Sequence, residues 1–174
     1  MITVYYWKVN LPNFGHAALR IGGGPSSGID TYVSWWPGAS DTKITNPITW
    51  ITDPMVPRHF EDDIKFEGQP TGTVTISGLD EQAMRREWQN IIKNGPRYNS
   101  CRKNCAWTVK YLIDIGTGYP LSAKLADFAN LRMFVGVWAP RNTYEYALYV
   151  KKNYDSRLKK FKDATNADPR LRTA

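Results

Sequence analysis

The sequence predicts a single α+β domain, with strands in the first half of the chain and helices in the second. Residues 2–9, 15–21 and 30–36 are rich in β-branched and aromatic residues and are separated by segments rich in Gly, Pro and Asn. From residue 80 onward, apolar residues recur at helical spacing. The chain has 174 residues, which is enough for one sizeable core and short for two domains.

The predicted strands follow one another closely along the chain. The first covers residues 2–9 and turns at 10–13. The second, residues 15–21, places His16, Ala18 and Arg20 on one face and Ala17, Leu19 and Ile21 on the other. Residues 30–36 form the third strand, and further strands are expected at 65–66 and 71–77. Residues 38–63 have no clear period and contain three prolines, so we expect a long loop or lid there.

Three helices complete the prediction. Asp80 caps the first, whose apolar face carries Met84, Trp88 and Ile91 or Ile92. The second begins at Asn104 or Cys105 and runs to Ile115, with glycines at 116 and 118 as terminators. Residues 133–138 read as a strand or a buried segment. The last helix covers residues 142–165, with an apolar stripe of Tyr146, Val150, Tyr154, Leu158 and Phe161, and the end of the chain is frayed.

Composition excludes several classes of protein. No apolar run approaches the ~20 residues that a membrane-spanning helix requires, and the first residues lack the features of a signal peptide. With 2 Cys and 2 His, the sequence predicts no zinc site, no other metal or cofactor, and no disulfide scaffold. We therefore expect that, if the protein acts outside its cell, it leaves without a classical signal peptide.

Positive charge is concentrated in two segments. The net charge is +7, and most of the excess lies in residues 141–174 and between residues 85 and 110. Such clusters indicate an anionic partner, such as a lipid surface, a nucleic acid or an acidic protein, or else the solvated faces of helices.

The segment around Cys105 is the strongest candidate for chemistry. A cysteine at the start of an apolar helix faces the positive end of the helix dipole, which favours the thiolate. Asn104 is a good N-cap, and Arg102 and Lys103 add positive potential. Cys105 fits these conditions better than Cys101, although the two could instead form a redox pair. The alternative is that Cys105 is simply a small buried residue without a chemical role.

A nucleophilic cysteine needs a base, usually histidine. His16 lies at the start of a strand, between two small residues. His59 lies in the proline-rich segment. The alternative for a single histidine on a strand is a purely structural hydrogen bond.

The order of these motifs resembles the circularly permuted NlpC-like branch of the papain superfamily, which includes lecithin:retinol acyltransferase-like enzymes and bacterial toxin effectors. A Gly-His-Ala strand comes first, followed by its hairpin partner (TYVSWW), and much later an Asn-Cys pair opens a helix. The resemblance covers roughly residues 1–115. It implies a permuted papain-like domain over residues 1–174, in which an antiparallel sheet packs against the helix that bears the nucleophile.

The resemblance also implies roles for individual residues. Cys105 matches the nucleophile and His16 the base. The family often has a further polar residue on the next strand, where this chain offers Tyr32 and Ser34. Ala106 and Trp107 replace the Glu-His that follows Asn-Cys in the family's acyltransferases, so the resemblance does not extend to close kinship with the retinoid enzymes.

From these features we expect a cysteine-dependent phospholipase or acyltransferase that acts on phospholipid esters. Trp35, Trp36, Arg102 and Lys103 would contact the membrane, unless the two indoles simply pack, one inward and one at the rim. The alternatives are a peptidoglycan amidase or endopeptidase, a cysteine hydrolase acting on a protein, and a basic nucleic-acid-binding module. As a type VI or related secretion effector, the protein would have a secretion carrier and an immunity protein as partners, and would act in the target periplasm or at its membrane.

Overall fold

Four of the strands pair into one antiparallel sheet in the computed structural model, which describes residues 1–10, 15–23, 30–37, 55–94, 103–118 and 138–167. Its strands are β1 (Ile2–Trp7), β2 (His16–Ile21), β3 (Thr31–Val33) and β6 (Gly72–Ile76), in the spatial order β3-β2-β1-β6. A separate two-stranded ladder joins β4 (Trp35–Pro37) to β5 (Met55–Pro57).

The register of the sheet separates an apolar face from a face that carries polar and aromatic side chains. Val4 pairs with Leu19 and with Val74, and these side chains are buried in the main core. Trp7 pairs with His16, and both point to the opposite face, because side chains alternate along a strand. The predicted division of β2 into two faces is therefore present in the sheet.

Helices cover both faces. They are α1 (Phe60–Glu67), α2 (Glu81–Asn94), α3 (Cys105–Thr117) and α4 (Pro140–Ala167). On the apolar face α2, α3 and α4 contribute Met84, Val109, Leu112 and Tyr146 to the core. On the other face, the Phe60 ring of α1 lies 5.1 Å from the ring of Tyr5 in β1.

The helix ends follow the sequence signals. The Asp80 carboxylate accepts a hydrogen bond from the Ala83 N–H at 2.9 Å and caps α2. Helix α3 ends at Gly118, which has φ +70° in the left-handed region and donates its N–H to Asp114 and Ile115 carbonyls. Gly116, expected to end this helix, instead lies inside it against Met84.

Two predictions for the middle of the chain are wrong. Within residues 38–63, expected to form a loop or lid, residues 55–57 form β5 and residues 60–63 belong to α1. The strand expected at Lys65-Phe66 is the second half of α1. Pro57 stands just ahead of the N-cap, where proline does not interrupt the helical hydrogen bonds, and so it did not exclude a helix.

The predicted third strand is divided at Ser34. Its first part, β3, pairs with β2, whereas its second part, β4, pairs with β5. Between them the Arg58 N–H donates to the Ser34 carbonyl at 3.3 Å. The strand thus exchanges one partner for another at this residue.

The α+β class, the antiparallel sheet and the single compact domain are confirmed in the described part of the chain. Helix α4 begins two residues before its predicted start and extends two residues past its predicted end. Residues 133–137 and 168–174, and the side chains of Leu158 and Phe161, lie outside the described residues. None of the described helices is long and apolar enough to span a bilayer.

Candidate active site

His16 and Cys105 come together although they belong to different layers of the fold. His16 is the first residue of β2, and Cys105 is the first residue of α3, which packs against the other face of that strand. The Cys105 side chain lies near enough to the imidazole to raise its pKa. Both residues are buried, at 2% and 6% exposure.

The N-cap of α3 fixes the position of Cys105. The Asn104 Oδ1 accepts a hydrogen bond from the Trp107 N–H at 2.8 Å, and its Nδ2 donates to the Trp138 carbonyl at 2.8 Å. The first backbone N–H groups of an α-helix have no acceptor within the helix. The thiol therefore lies at the positive end of the α3 dipole.

Asp63 of α1 is the third ionisable residue of the cluster, and it is fully buried. Its carboxylate accepts three hydrogen bonds from neutral donors: the Tyr32 hydroxyl at 2.6 Å, the Ser34 hydroxyl at 2.9 Å and the Trp36 indole N–H at 2.7 Å. The His16 Nε2 lies 3.3 Å from Asp63 Oδ2. A buried carboxylate needs such partners, because without them its desolvation would be very costly.

The hydrogen bonds also determine the orientation of the imidazole. The single Ser34 hydroxyl proton goes to Asp63, so the Ser34 oxygen accepts from His16 Nε2–H across 2.9 Å. Because Nε2 faces Ser34 and Asp63, Nδ1 is the ring nitrogen available to the Cys105 thiol. Asp63 and Ser34 thus hold the ring through its Nε2.

These contacts keep His16 protonated despite its burial. Desolvation alone would lower the pKa of the imidazole, but the charges and hydrogen bonds of Cys105 and Asp63 outweigh it and raise the pKa to about 10. Burial likewise opposes the charge on Asp63, yet the His16 charge and the hydrogen bonds hold its pKa below the ordinary value. Burial and the adjacent Asp63 charge raise the pKa of Tyr32, so its hydroxyl stays a donor. The arrangement favours the charged forms of His16 and Asp63.

Aromatic rings enclose the imidazole. Trp36 stacks on it with ring centres 4.8 Å apart and an interplanar angle of 30°. The ring of Trp7 lies 5.6 Å away, and its indole N–H donates to the Gly68 carbonyl at the end of α1. These rings remove water from around the His16–Asp63 pair, which strengthens the electrostatic interaction between them.

The remaining sequence candidates have different surroundings. Trp35 is 4% exposed and packs against Trp88 at 5.3 Å between ring centres, whereas Trp36 is half-buried. This arrangement, with one indole inward and one at the rim, is the packing predicted from the sequence as the alternative to membrane contact. Membrane contact stays a prediction for both residues. Lys103 is exposed directly before Asn104, and Arg102 and Cys101 lie outside the described residues.

Sequence reasoning did not identify Asp63, and it left His59 as a second possible base. His59 is the exposed N-cap of α1, where its backbone N–H donates to Asp62 Oδ2 at 3.0 Å. A signal for Asp63 was present, because Phe60, Asp63 and Glu67 share one helical face. An acid at an apolar position of a helix indicates a buried carboxylate with dedicated partners.

A cleft of about 540 Å³ lies at the edge of β3, beside the start of α1. Its lining includes Arg20, Tyr32, Arg58, Phe60 and Trp88. Tyr32 therefore borders both the cleft and Asp63. Within the described segments no group of three or more His, Cys, Asp or Glu side chains is arranged to hold a metal ion.

The fold and the site define an α+β protein with a buried Cys-His-Asp cluster. The family model of the IcsB middle domain matches residues 51–168, which is more than half of the chain. The chain belongs to this family. The matched region contains Asp63 and Cys105, and His16 precedes it. No curated protein and no solved structure matches the chain.

Proposed function

We propose that the protein is a cysteine-dependent acyl hydrolase or acyltransferase of a permuted papain-like type. The observation that carries the proposal is the buried cluster in which His16 contacts Ser34 and Asp63 and interacts electrostatically with Cys105. Nucleophilic catalysis by a thiol requires a cysteine paired with a histidine, and a third residue that orients the histidine.

In the first step, the Cys105 thiolate attacks the carbonyl carbon of an acyl ester. A C–S bond forms, and the oxyanion accepts hydrogen bonds from backbone N–H groups in the first turn of α3, including that of Cys105. The C–O bond of the ester then breaks. The imidazolium of His16 donates its Nδ1 proton to the leaving alkoxide, which gives an alcohol and an acyl-thioester on Cys105.

In the second step, neutral His16 takes a proton from water or from another hydroxyl or amine. The resulting nucleophile attacks the thioester carbonyl and the C–S bond breaks. The acyl group leaves as a fatty acid or is transferred to the acceptor, and the thiolate–imidazolium pair is restored. Asp63 remains ionised throughout and stabilises the imidazolium, as a carboxylate does in other catalytic triads.

We propose a phospholipid acyl ester as the substrate. On α4 the side chains of Arg141, Leu148, Lys151 and Lys152 are exposed and lie within about 100° of one another around the helix. A helix face that combines basic and apolar side chains suits an anionic lipid interface. The net charge of +7 supports the same choice.

Membership in the IcsB middle domain family is in line with a bacterial effector. We propose antibacterial action in the periplasm of the target cell, with delivery by a secretion apparatus and protection by an immunity protein. Expression in the bacterial periplasm should then arrest growth, and the Cys105→Ala variant should be harmless there. Equal toxicity of both forms would contradict a thiol-dependent toxin.

The test of the reaction uses purified protein and phosphatidylglycerol or phosphatidylethanolamine vesicles. Fatty-acid release should be lost in Cys105→Ala and His16→Ala, and should fall at least 100-fold in Asp63→Asn. Cys101→Ser is the matched thiol control and should retain activity. Release that survives in Cys105→Ala would exclude the mechanism.

Two other experimental results would assign the protein to a different substrate or to a different functional class. Release of stem-peptide fragments from sacculi without a lipid product would indicate the amidase, which uses the same thiol chemistry. Salt-dependent DNA binding without any hydrolysis would indicate the binding module.

A further inference from the structure

Trp36 makes two different contacts with the catalytic cluster. Its indole N–H donates to Asp63 Oδ1 at 2.7 Å, and its ring stacks on His16 with centres 4.8 Å apart. It also packs against Phe66 of α1, at 5.6 Å between ring centres. Among the three described side chains that donate a hydrogen bond to Asp63, Trp36 is the one that also stacks on the His16 ring.

We propose that Trp36 is a positioning residue of the active site, and that its two contacts hold the imidazole and the carboxylate in their productive relation. The inference rests on the proposed function. The hydrogen bond fixes Asp63 Oδ1, and Oδ2 is thereby left facing His16 Nε2. The stacked ring limits rotation of the imidazole about its side-chain bonds.

The two contacts stabilise charge in different ways. An indole N–H that donates to a carboxylate favours its ionised form. The face of an indole attracts a cation stacked on it, so it favours the imidazolium over the neutral ring. The thiolate of Cys105 depends on that imidazolium. Trp36 therefore acts on the sulfur without a contact of its own to the reacting atoms.

The other ionisable groups that face the Asp63–His16 pair come from three elements. Tyr32 belongs to β3 and Cys105 to α3, and Glu67 of α1 interacts electrostatically with both His16 and Asp63. Burial raises the pKa of Glu67. Because all of these groups remain in a Trp36 variant, a change in its pH profile reports the loss of the indole.

The experiment measures the rate of Cys105 alkylation by iodoacetamide between pH 4 and 9, in a Cys101→Ser background. This readout follows the thiolate and requires no substrate. Trp36→Phe keeps an aromatic face and removes the donor, so the acid limb of the profile should move up by about one pH unit. Trp36→Leu removes both contacts, and its rate at pH 7 should also fall roughly tenfold.

The matched control is Trp88→Phe, which makes the same change in the core on α2. Its thermal midpoint should fall at least as far as that of Trp36→Phe, while its alkylation profile should equal that of the parent. Trp36 variants whose profiles match Trp88→Phe would overturn the positioning role and leave the proposed function intact. A parent protein whose Cys105 is alkylated at neutral pH no faster than a free thiol would instead contradict the proposed function itself.

Discussion

The charge on His16 depends on side chains from two helices on opposite faces of the sheet. Cys105 approaches from α3 and Asp63 from α1, and together they raise the pKa of the buried imidazole from 6.5 to about 10. A residue whose pKa is higher in the folded than in the unfolded state stabilises the fold only while it is protonated. This dependence makes the charge of the cluster measurable without knowledge of the substrate.

We predict that the stabilising effect of His16 disappears at alkaline pH. Its contribution is fully present below its unfolded pKa of 6.5 and is lost as the pH rises through about 10. The free energy of unfolding of wild type minus that of His16→Gln, measured with urea, should therefore shrink between pH 6 and pH 10.

His59→Gln is the control, because its ring is exposed at the N-cap of α1. The free energy of unfolding of wild type minus that of His59→Gln should not shrink between pH 8 and pH 10. If the free energy of unfolding of wild type minus that of His16→Gln stays constant or grows between pH 6 and pH 10, the buried ring is not held in its charged form.

Two helices in this fold begin with the same kind of cap but have different neighbours. Asn104 caps α3 at the candidate active site, whereas Asp80 caps α2 away from it, and each side chain accepts one backbone hydrogen bond. Replacing such a cap by alanine typically costs about 1 kcal/mol of stability. The two caps therefore separate an effect on stability from an effect on the thiol.

We predict that Asn104→Ala slows the alkylation of Cys105 several-fold at pH 7, since the first turn of α3 frays and the thiol loses its fixed position. Asp80→Ala should also lose stability, but less of it, because Asn104 additionally donates to the buried Trp138 carbonyl, and it should leave alkylation unchanged. Equal alkylation rates in both variants would mean that the N-cap of α3 has no part in activating Cys105.

The contact between α2 and α3 depends on a residue without a side chain. A Cβ added at Gly116 would lie 2.5 Å from the Met84 sulfur, and Met84 is fully buried. We predict that Gly116→Ala costs about 1–3 kcal/mol of unfolding free energy. The cost should be smaller when it is measured in a Met84→Ala background, because the truncated side chain leaves room for the added methyl group. Identical costs in both backgrounds would contradict the proposed clash.

At the scale of the whole molecule, the sheet separates two tasks. Its apolar face and helices α2–α4 form the core, whereas its other face holds the polar side chains of the cluster beneath α1. Basic residues are exposed on α4, on the side of the sheet opposite α1. The molecule can therefore present charge to a partner without placing it in the buried site.

We predict that α4 contributes to binding of anionic membranes. Each basic residue near such a surface adds about 1 kcal/mol, so Lys151→Gln combined with Lys152→Gln should weaken binding to phosphatidylglycerol vesicles roughly 30-fold at low salt. Sedimentation of vesicles measures the affinity. The control removes two exposed lysines elsewhere, with Lys8→Gln and Lys65→Gln, and should have a much smaller effect. Equal losses in both double variants would indicate that only the net charge matters.

The sequence by itself determined the α+β class, the two faces of β2, a helix that begins at Asn104 or Cys105, and Asn104 as a good N-cap. These features depend on neighbours within a few residues, where alternation, helical spacing and capping act directly. Residue chemistry offered His16 and His59 as bases for Cys105, and the family resemblance favoured His16, since no local signal joins residues so far apart in the chain.

The tertiary structure alone decided how the cluster is completed. It divided the third strand at Ser34, turned residues 60–67 into a helix and brought Asp63 beneath Tyr32, Ser34 and Trp36. The need to satisfy a buried carboxylate links these positions across the chain. That need exists only once the sheet and α1 have excluded water, so helical spacing could indicate a buried carboxylate at Asp63 but could not identify the side chains that donate to it.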